Sequence, residues 1–205
     1  MGHKACCTRE SARRRLRHVG AEWNREGRSM RRHEVEHVLR AAAAITGATE
    51  FVVIGSQSIL GSVADPPSDL RESHKLDLFT LRSPDDATLI DGCIGEGSPF
   101  HQSFGYYAHG VGVETATLPR DWRDRLVRFE SRGTGGAVGL FLDVHDLSVS
   151  KLAAGREKDL VFVARLVRHR LVDVEVIRER LRRLDDRETA NRCKARLDRI
   201  GSIEG

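Results

Sequence analysis

Aromatic side chains are scarce in this chain: Phe, Trp and Tyr make up 5% of its 205 residues. They are not interleaved with the arginines, so a platform that stacks single-stranded nucleic acid is not indicated. Cysteine is equally sparse. Cys6 and Cys7 are adjacent, Cys93 and Cys193 stand alone, and no Cys-x-x-Cys pair exists. That argues against a structural zinc site and fits a reduced, cytoplasmic chain. No apolar run approaches the ~20 residues that span a bilayer, and the Arg-rich N-terminus has no apolar signal core, so no membrane partner is expected. What remains is the composition of a soluble globular protein, 40% hydrophobic and 31% charged, long enough for one or two domains.

The net charge is only +4, but its distribution is uneven. Arg13, Arg14, Arg15 and Arg17 crowd the first segment, and arginines recur from Arg178 to Arg199. Two readings stand side by side: solvated helix faces, or a basic collar for a nucleic-acid phosphate backbone.

Residues 1–30 show no hydrophobic period and are expected to be flexible or weakly helical, with Met30 a candidate alternative start. Val35, Val38, Leu39 and Ala42 recur at helical spacing over 31–45. Phe51 to Ile54 is a continuous apolar run and reads as a buried strand that breaks at Gly55-Ser56. Residues 57–63 read as a short helix. A strand that delivers Gly-Ser onto a helix N-terminus makes a phosphate seat, because glycine lets the backbone approach an anion and the free N–H groups favour negative charge. Lys75 to Leu81 reads as a second strand, with Lys75, Asp77 and Phe79 on one face. Pro84 opens a short helix. Residues 92–113 read as a long structured loop rich in Gly and aromatics, 112–118 as a strand, and 133–136 as a hairpin-like turn. Gly139 to Val144 is a further strand, with Phe141 and Asp143 on one face. Asp146 or Ser148 caps a helix that runs to about Arg170, and two shorter helices follow, broken at Asp185-Asp186. The fold class is α/β (α+β): a small mixed sheet flanked by helices, then a helical C-terminal extension.

The apolar strand, Gly55-Ser56, and Asp77 on the next strand resemble the signature of the DNA polymerase β nucleotidyltransferase superfamily, in which Gly-Gly or Gly-Ser precedes an acid-x-acid pair. Lys75 stands where the first acid of that pair is expected. The segment from His145 to Asp159 is similar to the Lys-Leu-x-Ala…Arg-x-Lys-Asp helix of the AbiEii and MenT-type nucleotidyltransferases, toxins of bacterial toxin–antitoxin modules. Lys151 and Lys158 are seven apart, which puts them on one stripe of a single helix. Two ammonium groups there would neutralise β- and γ-phosphate charge, with Asp159 beside them to orient a lysine. A solvated helix face is the bland alternative. Residues 90–101 and 104–107 also resemble a loop of small bacterial relatives. That loop would either stack a base on Tyr106 or Tyr107 or simply cover the sheet. His101 and His109 would donate to phosphate or serve structure.

The resemblance spans residues 50–165. It divides the chain into a basic segment 1–30, a nucleotidyltransferase-like domain 31–170 and a helical extension 171–205. It implies transfer of a nucleotide from an NTP, CTP or another pyrimidine nucleotide, to the 3′ end of tRNA, which would block aminoacylation and translation. It implies two Mg²⁺ ions, which usually stand about 3.5–4 Å apart on carboxylates of adjacent strands. Asp77 and Asp143 would hold the metal. Gly55, Ser56, Lys75, Lys151 and Lys158 would bind the nucleotide, and Asp77, Lys151 and Asp159 would serve catalysis. A cognate antitoxin protein is the implied partner. Two alternatives remain open: an impaired nucleotidyltransferase fold that binds nucleotide or RNA, and an enzyme that nucleotidylates protein.

Overall fold

The computed structural model describes residues 30–71 and 73–204. The expected flexible segment, with its cluster Arg13–Arg17, lies outside them. Met30, just inside, is 1% exposed, and its amide donates to the Ser73 carbonyl at 3.2 Å.

Helix α1 (Arg32–Thr46) buries Val35, Val38, Leu39 and Ala42, the residues that its period selects. Gly47 ends it at φ 68°, with its amide on the Ala43 carbonyl. Strand β1 (Glu50–Ile54) is the middle of a five-stranded mixed sheet, and its apolar run is buried. β2 (Lys75–Phe79) pairs with it antiparallel on one side, and β5 (Val138–Phe141) parallel on the other. β3 (Tyr107–Gly110) and β4 (Val127–Phe129) are the edges, giving the order β3-β2-β1-β5-β4. Between β1 and β2 a 3₁₀ turn (Ser56–Ser58) runs into the four-residue α2 (Ile59–Ser62). The mixed α/β architecture read from the sequence is therefore present.

Several local expectations are corrected. Residues 92–113 are not a loop: they hold the end of α3 (Asp86–Ile94), α4 (Pro99–Phe104) and β3. Ser98 Oγ accepts from the His101 amide, Pro99 occupies the first turn, and Gly105 at φ 76° stops the helix. The glycines and proline that suggested irregular chain are helix punctuation. Residues 112–118 hold a single 3₁₀ turn (Val113–Thr115) instead of a strand.

The long helix expected from 146 to 170 is two helices, α5 (Val144–Ala154) and α6 (Glu157–Arg168). Gly155 at φ 64° turns the chain between them. A side chain at 155 would also strike the Arg196 guanidinium at 2.2 Å. Arg196 donates to the Leu152 and Ala153 carbonyls, so a cation from α8 (Arg187–Glu204) caps the end of α5. Neither Asp146 nor Ser148 caps α5. Both are fully buried inside it, and Asp143 is the cap, accepting from the His145 amide at 3.0 Å.

Asp146 receives both Nε and Nη2 of Arg125, at 2.8 and 3.0 Å, which ties α5 to the 3₁₀ turn Trp122–Arg125. Burial pushes the Asp146 carboxyl up to about 6, although the Arg125 charge pulls the other way.

Two apolar clusters result. The larger joins the sheet to α1 and α3. The second is helical: Val149, Leu152 and Val163 meet Ile177 and Leu181 of α7 (Val174–Leu181) and Cys193, Leu197 and Ile200 of α8. Among the described residues no helix is long and apolar enough to cross a membrane.

Candidate active site

A cavity of about 540 Å³ lies where the ends of β1, β2 and β3 face α5 and α6. Its strand wall begins at Gly55, which leaves β1 at φ 71°. A Cβ there would fall 2.4 Å from Asp77 Oδ2, so the bare backbone is what admits the carboxylate. Strand register does the rest. Asp77 pairs with Ile54 on β1 and with His109 on β3, and Lys75 pairs with Tyr107. Asp77 Oδ1 accepts from His109 Nδ1 at 2.8 Å and from Lys75 Nζ at 3.0 Å. Lys75 Nζ is also 3.3 Å from His109 Nδ1. His109, read as a phosphate donor or a structural residue, thus sits on the carboxylate. The cross-strand pairing that puts it there is not visible in either strand alone.

The helix wall is a tighter network. Lys151 Nζ donates to Ser56 Oγ at 2.8 Å and to Asp159 Oδ1 at 2.9 Å. It also lies 5.0 Å from the centre of the Phe162 ring. Asp159, fully buried, takes Arg156 Nε on its other oxygen at 2.5 Å. Burial lowers the Lys151 pKa, and Asp159 opposes the shift without cancelling it. For Asp159 burial acts upward, but the bonds from Arg156 and Lys151 win and hold its carboxyl below the ordinary value.

Of the residues expected at the site, Gly55, Ser56, Lys75, Asp77, Lys151, Lys158 and Asp159 all line this one cavity. Lys151 and Lys158 do so from two helices, since Gly155 breaks the single stripe. Asp143 is not among the lining residues. It leaves β5 before position 143 and is committed to the N-terminus of α5 and to His145. Tyr106 is 9% exposed, with its hydroxyl 2.7 Å from His37 Nδ1 and its ring among Phe100 and Phe104, which makes it core. The Tyr107 ring packs at a tilt against His101, their centres 4.6 Å apart, and His101 Nδ1 accepts from the Gly97 amide. The seat for phosphate is also altered. The chain after Gly55 makes one 3₁₀ turn and one α turn, too little for a sizeable macrodipole. Anion attraction here comes from side chains.

Five cations line the cavity: Lys75, Lys151, Arg156, Lys158 and Arg165. They face three carboxylates, Asp69, Asp77 and Asp159. Each carboxylate is already engaged by cationic or imidazole groups of the chain: Asp69 by Arg165 and His169, Asp77 by Lys75 and His109, Asp159 by Lys151 and Arg156. Among the described residues no group of three His, Cys, Asp or Glu is placed to hold a metal ion. The donor set does not fit a carboxylate-held Mg²⁺ pair.

A second cavity, about 590 Å³, lies between α7 and α8, with Leu181 and Leu184 beneath Arg182, Arg187 and Lys194. Its charged lining is basic apart from Asp198, which takes Arg178 Nη2 at 2.8 Å.

Residues 33–197 match a family described as nucleotidyltransferases of unknown function (DUF6036). No curated protein and no solved structure matches the chain. The matched span runs from α1 to α8 and takes in every residue of the cavity. The chain belongs to this nucleotidyltransferase family.

Proposed function

We propose that the protein transfers a nucleotide from an NTP to a hydroxyl acceptor in the cavity between β2 and α5. The observation that carries this reading is Lys151, held by Ser56 and Asp159 with its ammonium in a cavity rich in cations. Nucleotidyl transfer asks for a triphosphate held in line with a hydroxyl and for positive charge on the departing phosphates. The acceptor oxygen attacks the α-phosphorus, the bond to the β-phosphate oxygen breaks, and pyrophosphate departs with that electron pair. Lys151, Lys158 and Arg156 are suited to the phosphates. Asp77, oriented by Lys75 and His109, is suited to take the hydroxyl proton.

The acceptor we favour is the 3′ end of tRNA, in a toxin restrained by a cognate antitoxin. The likeness of the Lys151–Asp159 segment to the AbiEii and MenT-type toxins supports this, as does the basic lining of the cavity between α7 and α8, with Arg182, Arg187 and Lys194, for a phosphate backbone. A pyrimidine nucleotide is the favoured donor on the same ground. Lys75 in an acid's position favours one other reading, a fold that binds nucleotide without transferring it. The test is to incubate the protein with each labelled NTP, total tRNA and total cell protein, with and without Mg²⁺. Label on tRNA is the expected result; label on protein, or on nothing, replaces the reading by an alternative. Asp77→Ala should lower transfer by about a hundredfold or more, the scale of a lost general base. Transfer within about threefold of wild type would remove Asp77 from the chemistry.

A further inference from the structure

The charge balance of the cavity points the opposite way from a metal site. A Mg²⁺ centre gathers carboxylates whose negative charge is otherwise uncompensated. Here Lys75, Lys151, Arg156, Lys158 and Arg165 outnumber Asp69, Asp77 and Asp159. Each of those acids already holds a cationic partner of the chain. Lys75 is the decisive residue. Its ammonium is 3.0 Å from Asp77 Oδ1, on the strand face where a second acid would otherwise make a pair. A magnesium ion bound to Asp77 at about 2.1 Å would have to displace that ammonium or stand directly beside it, cation against cation.

The same ammonium is well placed to meet an anion. The Lys75 side chain is 39% exposed, so a ligand can reach it. An ammonium has three donors and Asp77 takes one, which leaves donors for a phosphate oxygen. Lys151 stands across the cavity, fixed to Ser56. Lys158, exposed on α6, adds a charge that no acid pairs with among the described residues.

We infer that Lys75, with Lys151 and Lys158, does the electrostatic work of divalent ions in this cavity, and that the cavity takes its NTP as the metal-free polyanion. This rests on the reading of the cavity as an NTP site. Lys75 stands where the superfamily signature that the chain resembles has an acid, and the ligand's charge is met by the chain itself.

Equilibrium binding of each of the four NTPs by calorimetry, once in EDTA and once in Mg²⁺, tests it. For the NTP that binds, the expected Kd in EDTA lies within about threefold of that in Mg²⁺. Lys75→Glu should weaken binding about tenfold or more in EDTA and recover it in Mg²⁺, because it rebuilds an acid pair with Asp77. Lys75→Met should weaken binding in EDTA with no recovery, since it removes the charge and adds no ligand. Thermal unfolding of each variant checks that the fold is kept, and the wild-type comparison alone remains decisive if either variant unfolds. Wild-type binding that appears only with Mg²⁺ overturns the inference and leaves the NTP site standing. Failure of every NTP to bind wild type in either buffer removes the site itself and the inference with it.

Discussion

On the helix wall of the cavity the Asp159 side chain is fully buried and Lys151 is 12% exposed; on the strand wall Asp77 is 19% and Lys75 39% exposed. Both walls pair acid with lysine at about the same distance, yet they hold the pair by different means. Asp159 is locked by Arg156 as well as Lys151, and Lys151 is locked again by Ser56. Asp77 and Lys75 owe their contact to alternation along β2 and to the neighbouring His109 on β3. Water reaches the strand wall, which lowers what its ion pair is worth and leaves its groups open to a ligand. The helix wall is pre-set before any ligand arrives. Its lysine needs little reorganisation, which is the property electrostatic stabilisation of a departing phosphate requires.

Cutting one acid from each wall should break this comparison most visibly. Asp159→Ala leaves Lys151 without its carboxylate in a site that already lowers its pKa. Removing one partner of a buried pair costs about 3–5 kcal/mol. Lys151 can shed its proton and Arg156 is exposed, so the lower end applies. Asp77→Ala strands only groups that water reaches and should change stability by about 1 kcal/mol or less. Urea unfolding of the two variants measures both. Equal losses would mean that the two walls do not differ in the way their exposure implies.

A smaller effect separates backbone from side chain at Gly55. Gly55→Ala forces a Cβ into a backbone at φ 71° and to within 2.4 Å of Asp77 Oδ2. Strain of this kind costs about 1–3 kcal/mol. Adding Asp77→Ala removes the collision and keeps the φ strain. The double variant should therefore be more stable than the sum of the single losses, with a coupling of about 0.5 kcal/mol or more. Additive losses would show that backbone conformation alone, and not the approach of Asp77, demands glycine there.

What the sequence made legible follows from the range of the forces involved. The α1 stripe and the buried β1 run rest on local patterning, and each residue chosen for them is buried. Gly55, Asp77, Lys151 and Asp159 were legible because a spaced motif marks them. Hidden from the sequence was whatever depends on one residue between elements or on pairing across them. Gly155 sits inside the motif read as one helix, and its positive φ splits that helix in two. Asp143 reads as the next inward residue of β5, but its side chain prefers the free amides of α5. His109 meets Asp77 only through β2–β3 register, which neither strand encodes by itself.

The two lysines can be tested against each other. On one stripe they would be equivalent; on two helices they are not. Lys151 is mostly buried, held by Asp159 and Ser56, while Lys158 is exposed at the rim. Removing Lys151 deletes a fixed, charge-assisted contact and should cost about 1.5–3 kcal/mol in NTP affinity. Lys158→Ala removes a mobile charge in water and should cost about 0.5–1 kcal/mol, with no change in unfolding free energy. Salt distinguishes the two further. Because an exposed charge is screened within a Debye length of about 10 Å at 0.1 M salt, the Lys158→Ala defect should shrink when NTP titrations are repeated at high ionic strength. The Lys151→Ala defect should persist there. Equal defects with equal salt sensitivity would mean that both lysines meet the phosphates alike, and that the break at Gly155 makes no difference to how they are used.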